Sequence, residues 1–574
     1  MHIIPTPQKI TLSATPLPCR SVRLCDGIED RRLLDAASKL PQSPDGLPLR
    51  IVCCSGDSEG YRLHLGCDGI VIESDGVHGA FYGVQTLRQI FMNEQIFCAE
   101  IEDSPSNPYR ILYHDVTRGR VPTLRSLKQL VDDISFYKLN GLQLYVEHAF
   151  PFREMYGTID ESNYLTPEEI VDLVNYCEDH FVDLVPSLAT CGHMYRILQL
   201  PQNAHLRELD NYEPQYMDWY ESLKHHTINP ALPESFEFVK SLIDQYIPLF
   251  SSEYVNVCGD EPFDLKIGKN AALGIDVDRM YIDFMVKVID YVKSKGKKVM
   301  LWADSVFLDN PEHSKAIPDD VIMLCWGYAA EPPESRVQKL EGRAQKKLVC
   351  PSNSAYFRLC ENAAVAEQNI CNMAAFGAKY AADGMMNTNW GDYGHPCSIE
   401  LSMYGIVVGA QKSWDFRAPV DEDFHNAVSL LLYRQERGYE YLRQVNALHE
   451  KAQFFKFARL WSDLTHESKI PYATFPTDEE LAEAVEKAKQ LMCELESQKW
   501  ASDNYRRAML IAAEGTAVIA ELFMALRGTK TERTTDTESW LSKYRAHWLE
   551  QSKESELCRR EEMFRQMQAL AERA

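Results

Sequence analysis

The sequence predicts a (β/α)8 barrel that follows a small α+β domain and precedes a helical region. Eight short apolar runs with strand character follow one another from Tyr109 onward, and most are followed by a helical pattern. This alternation is typical of a (β/α)8 barrel, and the segment is slightly longer than the usual barrel length of about 250 residues. A stretch dense in turn-forming residues, Asp103 to Pro108, precedes the first run, and strand character ends after Ala418. The predicted domains are therefore residues 1–107, 108–418 and 419–574.

Alternating apolar runs define the elements of the first two domains. In residues 1–107 the predicted strands are Leu49 to Cys53, Tyr61 to Leu65 and Gly69 to Glu73, with one helix from Val77 to Asn93. The predicted barrel strands are Tyr109 to Val116, Gly141 to Val146, Asp183 to Leu188, Tyr254 to Gly259, Val299 to Ala303, Val321 to Trp326, Gly384 to Asn389 and Ile406 to Ala410. The predicted helices between them are Leu124 to Leu139, Pro167 to His180, Ser235 to Leu249, Val277 to Lys295, Pro333 to Gln345 and Asn362 to Tyr380.

Long polar helices are predicted for residues 419–574, where apolar residues recur at three and four spacing. Their charged faces have two interpretations, solvated surface or the interface of a homodimer.

Bulk composition excludes several classes of partner. The net charge of −24 repels nucleic acid and anionic membrane surfaces. We find no run of about 18 apolar residues, so we expect no membrane span. A neutral ligand such as a sugar is compatible with this charge.

The cysteines and the N-terminus point to the cytoplasm. Sixteen cysteines show no regular framework, and we interpret them as reduced thiols. The first residues, Met1 to Pro5, lack the basic and apolar regions of a secretory signal. Because neither C-x-x-C nor H-E-x-x-H occurs, we expect no metal and no other cofactor.

The fourth predicted strand ends at two adjacent acids, Asp260 and Glu261. Neighbouring strand residues point to opposite faces, so both acids can serve one pocket only if the backbone bends there. Gly259 before them and Pro262 after them allow such a bend.

The ends of the predicted strands are acidic and aromatic. Four of the nine tryptophans fall there, and tryptophans with a few carboxylates are what a sugar ring requires, because its C–H faces stack on rings while its hydroxyls need polar partners. Chemistry in such barrels lies at these ends. The residues are Asp115, Arg118, Glu147, His148, His193, Asp260, Glu261, Trp302, Asp304, Trp326, Tyr328, Trp390, Asp392, Tyr393 and Trp414.

Residues 1 to about 416 resemble glycoside hydrolase family 20, the β-N-acetylhexosaminidases. The family motif H-x-G-G-D-E is matched by Asn256 to Glu261, with Asn256 and Cys258 in place of its His and first Gly. Its first-strand motif is matched by Arg110 and Asp115 to Arg118, its Gly-His by Gly192-His193, and its later tryptophans by Trp302, Trp326 and Trp414. The opening Ile4 to Lys9 is similar to the start of the family's small N-terminal domain.

The resemblance implies an exo-acting enzyme that removes terminal β-linked GlcNAc or GalNAc with retention. The substrate's own acetamide attacks C1, an exception to the usual pair of carboxylates. Glu261 would be the general acid and base, and Asp260 would orient the acetamide and stabilise an oxazolinium intermediate. Arg110 would hold sugar hydroxyls, with His193 and the tryptophans as further substrate ligands.

The sequence departs from the family at its predicted seventh strand. Where the family has Tyr-x-Asp, this chain has Trp390-Gly391-Asp392-Tyr393. The family's tyrosine hydroxyl holds the acetamide oxygen, so Trp390 and Tyr393 are both candidates for that place, and Asp392 is carried over as a ligand of a sugar hydroxyl. Asp415 stands in for an acid that the family places two residues beyond its last tryptophan.

Other interpretations stay open at this stage. Arg110 could instead pair with Asp115 or Glu147, His193 could be a core histidine, and Trp302 and Trp326 could be packing residues. A glycosidase of another sugar specificity and a carbohydrate-binding pseudoenzyme are the alternative functions.

Overall fold

The computed structural model describes residues 1–156, 160–209, 226–466, 475–529 and 533–573. An N-terminal mixed sheet, a closed parallel barrel and a set of C-terminal helices follow one another along the chain. The fold class predicted from the sequence is confirmed.

The N-terminal sheet has six strands in the order β1-β6-β4-β5-β3-β2. Alternation of buried and exposed residues along β4 shows that one face is covered, and α2 packs against it. The elements are β1 (Lys9–Pro16), β2 (Val22–Leu24), α1 (Arg31–Ser38), β3 (Leu47–Gly56), β4 (Tyr61–Leu65), β5 (Ile70–Gly76), α2 (Val77–Ile90) and β6 (Phe97–Asp103).

Eight parallel strands close the barrel, because β14 pairs with β7. Its strands are β7 (Tyr109–Asp115), β8 (Gly141–Val146), β9 (Asp183–Leu188), β10 (Tyr254–Asn256), β11 (Lys298–Trp302), β12 (Ile322–Trp326), β13 (Lys347–Cys350) and β14 (Gly384–Asn389). Its helices are α3 (Leu124–Phe136), α4 (Pro167–Asp179), α5 (Tyr195–Gln199), α6 (Pro233–Tyr246), α7 (Lys269–Ala272), α8 (Val277–Ser294), α9 (Ser305–Leu308), α10 (Pro311–Lys315), α11 (Ser335–Gln338), α12 (Ala363–Lys379) and α13 (Met403–Trp414).

One predicted strand is wrong and one real strand was missed. The predicted eighth strand, Ile406 to Ala410, lies inside α13, whose residues are buried on every side. The true seventh strand is β13, which pairs with β12 and β14. The predicted helix from Pro333 to Gln345 is reduced to α11. The strand that ends before Trp390 is therefore the eighth of the barrel.

Every named element in the described part of residues 419–573 is a helix. They are α14 (Glu422–Val428), α15 (Gly438–Lys451), α16 (Phe454–His466), α17 (Asp478–Ser497), α18 (Asp503–Leu526), α19 (Thr537–Gln551) and α20 (Leu557–Ala571). By length and composition alone α18 could cross a membrane, although Glu514 and Glu521 interrupt its apolar residues. However, 72% of its most apolar window is buried inside the protein, as in the core helix of a globular domain.

Candidate active site

A sharp turn in left-handed backbone carries the two acids into one cavity. Strand β10 ends at Asn256, and the φ angles that follow are 54° at Cys258, 81° at Gly259 and 50° at Glu261. The Asn256 side chain stabilises the turn, because its Oδ1 accepts a hydrogen bond from the Cys258 N–H at 2.9 Å. This is the bend that lets two adjacent acids face the same pocket, and such strained backbone is typical of functional sites.

Neighbouring loops hold the turn from both sides. The Oδ2 of Asp304, after β11, accepts a hydrogen bond from the Glu261 N–H at 2.8 Å. Gly192, after β9, lies so close that a Cβ there would be 2.4 Å from the Asp260 carbonyl oxygen. Any larger residue at position 192 would therefore displace the turn that carries Asp260 and Glu261.

His193 lies beneath the acids as a shared cation. Its Nε2 is 3.3 Å from the Asp260 carboxylate and 3.3 Å from that of Glu261. Burial lowers the pKa of His193, but the neighbouring carboxylates of Asp260 and Glu261 outweigh it and raise the pKa to about 10. The imidazole is thus protonated at neutral pH and holds the two carboxylates together. Its side chain is 3% exposed and does not line the cavity, which corrects its prediction as a substrate ligand.

The cavity at the mouth of the barrel has a volume of about 220 Å³. Six of its ten lining residues are aromatic, and the polar ones are three acids and one arginine. Such a wall suits the apolar faces and the polar edge of one sugar ring. The lining residues are Arg118, Asp260, Glu261, Trp302, Trp326, Tyr328, Tyr356, Phe357, Trp390 and Asp392.

Arg118 is the arginine of this cavity. Its Nη1 donates a hydrogen bond to Asp392 at 3.0 Å, and the carboxylates of Glu147 and Asp115 lie 3.6 and 3.7 Å from its guanidinium. Burial acts to raise the pKa of Glu147, but His148 and Arg118 hold it at about 2. The guanidinium is therefore fixed among three carboxylates, with Asp392 as the one that shares the cavity with it.

Arg110 is not in the site, and its prediction as a sugar ligand is wrong. It lies at the N-terminal end of β7, about 16 Å from the mouth at the usual rise along a strand. The guanidinium is fully buried and donates to both carboxylate oxygens of Glu59 and to the Tyr82 hydroxyl, at 2.5 to 3.1 Å. Arg110 therefore joins the N-terminal domain to the barrel.

Three more predicted ligands lie outside the cavity. Trp414 ends α13 and is packed into the N-terminal domain, where its indole N–H donates to Asp103 at 2.9 Å. Asp415 follows it and accepts a hydrogen bond from the Arg417 N–H. The ring of Tyr393 packs on Phe357, with ring centres 4.8 Å apart, behind the cavity wall. None of the three can touch a sugar held beside Glu261.

The missed strand explains these errors. With β13 as the seventh strand, Trp390 follows the last one, and Asp392 is the acid two residues beyond it. This is the pattern that the sequence comparison assigned to Trp414 and Asp415. Trp302, Trp326, Trp390 and Asp392 do line the cavity, as predicted. Four lining residues were not among the predicted ligands: Arg118, Tyr328, Tyr356 and Phe357.

Two of these four carried a signal in the sequence. Arg118 and Tyr328 directly follow the ends of recognised strands. Tyr356 and Phe357 follow β13, and only recognition of that strand would have placed them at the mouth.

Comparison with known protein families agrees with this geometry. The model "Glycosyl hydrolase family 20, catalytic domain" matches residues 107–415, more than half of the chain. The chain belongs to glycosyl hydrolase family 20. A second model of the family, "Glycosyl hydrolase family 20, domain 2", matches residues 35–104.

Relatives within family 20 are distant. A beta-hexosaminidase of Porphyromonas gingivalis is 25% identical over 307 residues, which cover 46% of this chain and 39% of that protein. The human beta-hexosaminidase subunit beta is 23% identical over 309 residues, covering 49% of this chain and 52% of the subunit. This chain thus spans about half or less of the length of these curated relatives.

Solved structures of family 20 share the fold. A chitobiase of Flavobacterium johnsoniae superposes with a TM-score of 0.60 at 17% identity, covering 94% of this chain and 95% of that one. A β-N-acetylhexosaminidase of Streptomyces coelicolor has a TM-score of 0.57 at 19% identity, covering 75% of this chain and 94% of its own. At these identities the likeness is one of architecture.

Proposed function

We propose that the protein is an exo-acting β-N-acetylhexosaminidase that removes terminal β-linked GlcNAc or GalNAc with retention. The observation that carries this proposal is the arrangement of Asp260 and Glu261, adjacent in sequence, joined through His193 and open to one aromatic cavity. A conventional retaining pair faces the sugar from two sides, about 5 Å apart. Two neighbouring acids fit substrate-assisted chemistry better, because they divide its two tasks.

In this mechanism Glu261 gives its proton to the glycosidic oxygen as the bond from C1 to that oxygen breaks. The acetamide carbonyl oxygen forms a new bond to C1, and Asp260 accepts the acetamide N–H and stabilises the positive charge of the oxazolinium. Water then attacks C1 and gives its proton to Glu261, and the bond from C1 to the acetamide oxygen breaks. The held acetamide gains the effective molarity of an intramolecular nucleophile.

Tyr356 is the phenol that best matches the family's acetamide-binding tyrosine. The family carries that tyrosine on the seventh strand, and the seventh strand of this barrel is β13, which Tyr356 follows before it joins the cavity wall. Tyr328, the other cavity phenol, follows the sixth strand and stacks on Trp326 with ring centres 5.2 Å apart. We therefore assign the acetamide to Tyr356 together with Trp302, Trp326 and Trp390.

Replacing Tyr356 by Phe is expected to lower kcat/KM about 10- to 100-fold, since one hydrogen bond to the developing nucleophile is lost. The matched control is Tyr328→Phe, which removes the same hydroxyl from the other cavity phenol. Steady-state kinetics on one aryl 2-acetamido-2-deoxy-β-glucoside compare the two variants. A larger loss for Tyr328→Phe would reverse the assignment.

The test of the proposed function compares two chromogenic substrates, an aryl 2-acetamido-2-deoxy-β-glucoside and the matching aryl β-glucoside. We expect hydrolysis of the first alone, and inhibition by a thiazoline that mimics the oxazoline. Equal turnover of both would favour a glycosidase of another specificity. Binding of N-acetylglucosamine without hydrolysis would favour a pseudoenzyme.

We also propose that the enzyme works in the cytoplasm on small oligosaccharides. All sixteen cysteines lie in the described residues and are unpaired, which suits a reducing compartment. Fractionation of the native host followed by immunodetection tests this, and recovery outside the cytoplasm would contradict it.

A homodimer is the remaining proposal from the sequence. Its support is β1, an edge strand of the N-terminal sheet on which Ile10 and Leu12 are exposed. Light scattering coupled to size exclusion tests it, and a mass near 65.7 kDa would contradict it.

A further inference from the structure

The connector between α19 and α20, residues 552–556, lies against the loop that carries Arg118, together with Gln551 at the end of α19. The two segments run antiparallel. The Thr123 N–H donates to the Gln551 carbonyl at 2.9 Å, the Lys553 N–H to the Val121 carbonyl at 2.9 Å, and the Glu556 N–H to the Gly119 carbonyl at 3.1 Å. The backbone of residues 119–123 therefore finds its partners in the C-terminal helical region, four hundred residues away in sequence.

Ser555 is the central contact of this connector. Its Oγ accepts a hydrogen bond from the Val121 N–H at 3.0 Å and donates to the Ser162 carbonyl at 2.9 Å, so that it joins the loops after β7 and β8. Its φ of 50° is left-handed, a conformation that costs a non-glycine residue about 1 kcal/mol or more. The surrounding contacts thus hold the connector in a strained form.

The same connector makes further contacts after β8 and also reaches the loop region after β9. The Lys553 ammonium donates to the Tyr164 carbonyl at 2.7 Å and to Glu169 at 2.7 Å. Glu556 forms an ion pair with Arg196, in the loop region after β9. The loops after the first three barrel strands are therefore tied to one short segment.

Residues of the opposite cavity wall also pack against the C-terminal helical region. Phe455 of α16 stacks near Phe357, a lining residue, with ring centres 5.2 Å apart. Arg560 of α20 fills the space beside Gly394, where a Cβ would be 1.3 Å from its Nη2. Gly394 lies two residues beyond Asp392, so both ends of the Arg118–Asp392 pair rest on C-terminal helices.

We propose that the connector positions Arg118 for the sugar, which makes the C-terminal helical region a functional part of the substrate site. Three carboxylates hold the Arg118 guanidinium at 3.0 to 3.7 Å, while the connector holds the loop from which the side chain extends. A shift of that loop would therefore move the guanidinium relative to Asp392 and to the sugar. A displacement of about 1 Å at a positioning group costs up to 100-fold in rate. This inference rests on the proposed function, in which Arg118 binds hydroxyls of the terminal sugar.

The test is Ser555→Ala, a positioning variant that touches no substrate. We expect its KM for the aryl 2-acetamido-2-deoxy-β-glucoside to rise about five- to tenfold with kcat within about twofold, since Arg118 binds the sugar alike in the ground and transition states. The matched control is Glu521→Gln in α18. The Glu521 carboxylate accepts hydrogen bonds from the Thr534 and Thr535 N–H groups, so this change also weakens a side-chain cap of the helical region.

A double-mutant cycle separates positioning from general loosening. In an Arg118→Lys background, Ser555→Ala is expected to raise KM by less than about twofold. Equal effects in both backgrounds, or the same rise in KM for Glu521→Gln, would overturn the inference. If Ser555→Ala does not fold, Lys553→Met takes its place in the same cycle.

The experiments distinguish a failure of this inference from a failure of the proposed function. Wild-type hydrolysis with an unchanged KM in Ser555→Ala would overturn the inference alone. No hydrolysis by the wild type would overturn the proposed function.

Discussion

Glu261→Gln is expected to lower kcat about 10²- to 10⁴-fold on substrates with poor leaving groups, because an amide cannot protonate the departing oxygen. On an aryl glycoside with an activated leaving group, such as dinitrophenol, the first step needs little protonation and the loss should be less than on the poor leaving group. Stopped assays on chitobiose and on the dinitrophenyl glycoside measure the two effects. Similar losses on both substrates would exclude Glu261 as the acid.

Glu253→Gln is the matched control for this variant. Glu253 precedes the same strand at its opposite end, where its side chain is 69% exposed and pairs with Lys298. The chemical change is the same, but the site is untouched. Its kcat is expected to equal that of the wild type, since exposed ion pairs contribute about 1 kcal/mol or less.

Asp260→Asn is expected to lower kcat about 10²- to 10³-fold on 2-acetamido substrates while the protein stays folded. The amide keeps the shape of the side chain but loses the charge that stabilises the oxazolinium. The thiazoline inhibitor, which resembles this intermediate, should lose affinity by a similar factor, and calorimetry measures that loss. Circular dichroism establishes that the variant is folded.

Two outcomes would contradict this role for Asp260. An unfolded Asp260→Asn protein would make the carboxylate structural, as its contact with His193 at 3.3 Å also allows. Unchanged affinity for the thiazoline in a folded variant would separate Asp260 from the acetamide.

The barrel itself could be predicted because seven of its strands are apolar runs that stop at polar residues. The missed strand, Lys347–Cys350, has four residues and begins with a lysine, so no periodicity marks it. The segment mistaken for a strand, Ile406 to Ala410, is rich in β-branched residues but lies in a helix buried on all sides. A helix without a polar face has no alternation that distinguishes it from a buried strand.

Site residues were predictable where they come directly after a strand that the sequence pattern had revealed. Asp260, Glu261, Trp302 and Trp326 all come after recognised strands and line the cavity. The errors have two physical sources. Motif spacing does not tell which end of a strand a residue occupies, and this misplaced Arg110. A strand lost from the count shifts every later assignment, and this moved the last pair from Trp390 and Asp392 to Trp414 and Asp415.

No sequence pattern could have revealed the contact between the connector and the loop of Arg118. Its hydrogen bonds join backbone atoms of segments about four hundred residues apart, and every residue type except proline has the same backbone donor and acceptor. The helices themselves were predictable from their periodicity, but their docking depends on the shape of the barrel.

The left-handed turn that carries Asp260 and Glu261 also limits how this site can evolve. At Cys258, with φ of 54°, glycine and asparagine are the residues that the backbone accepts at low cost, whereas valine, isoleucine and threonine would clash. The family motif has glycine at this place, which adopts this φ angle without strain. The cysteine here costs backbone strain, but its thiol contacts Ser187 and Tyr113. A library of random substitutions would therefore show a narrow set of survivors at position 258, although its side chain performs none of the chemistry. New specificities of this barrel should arise instead from its cavity walls, where ordinary backbone leaves many side chains permitted.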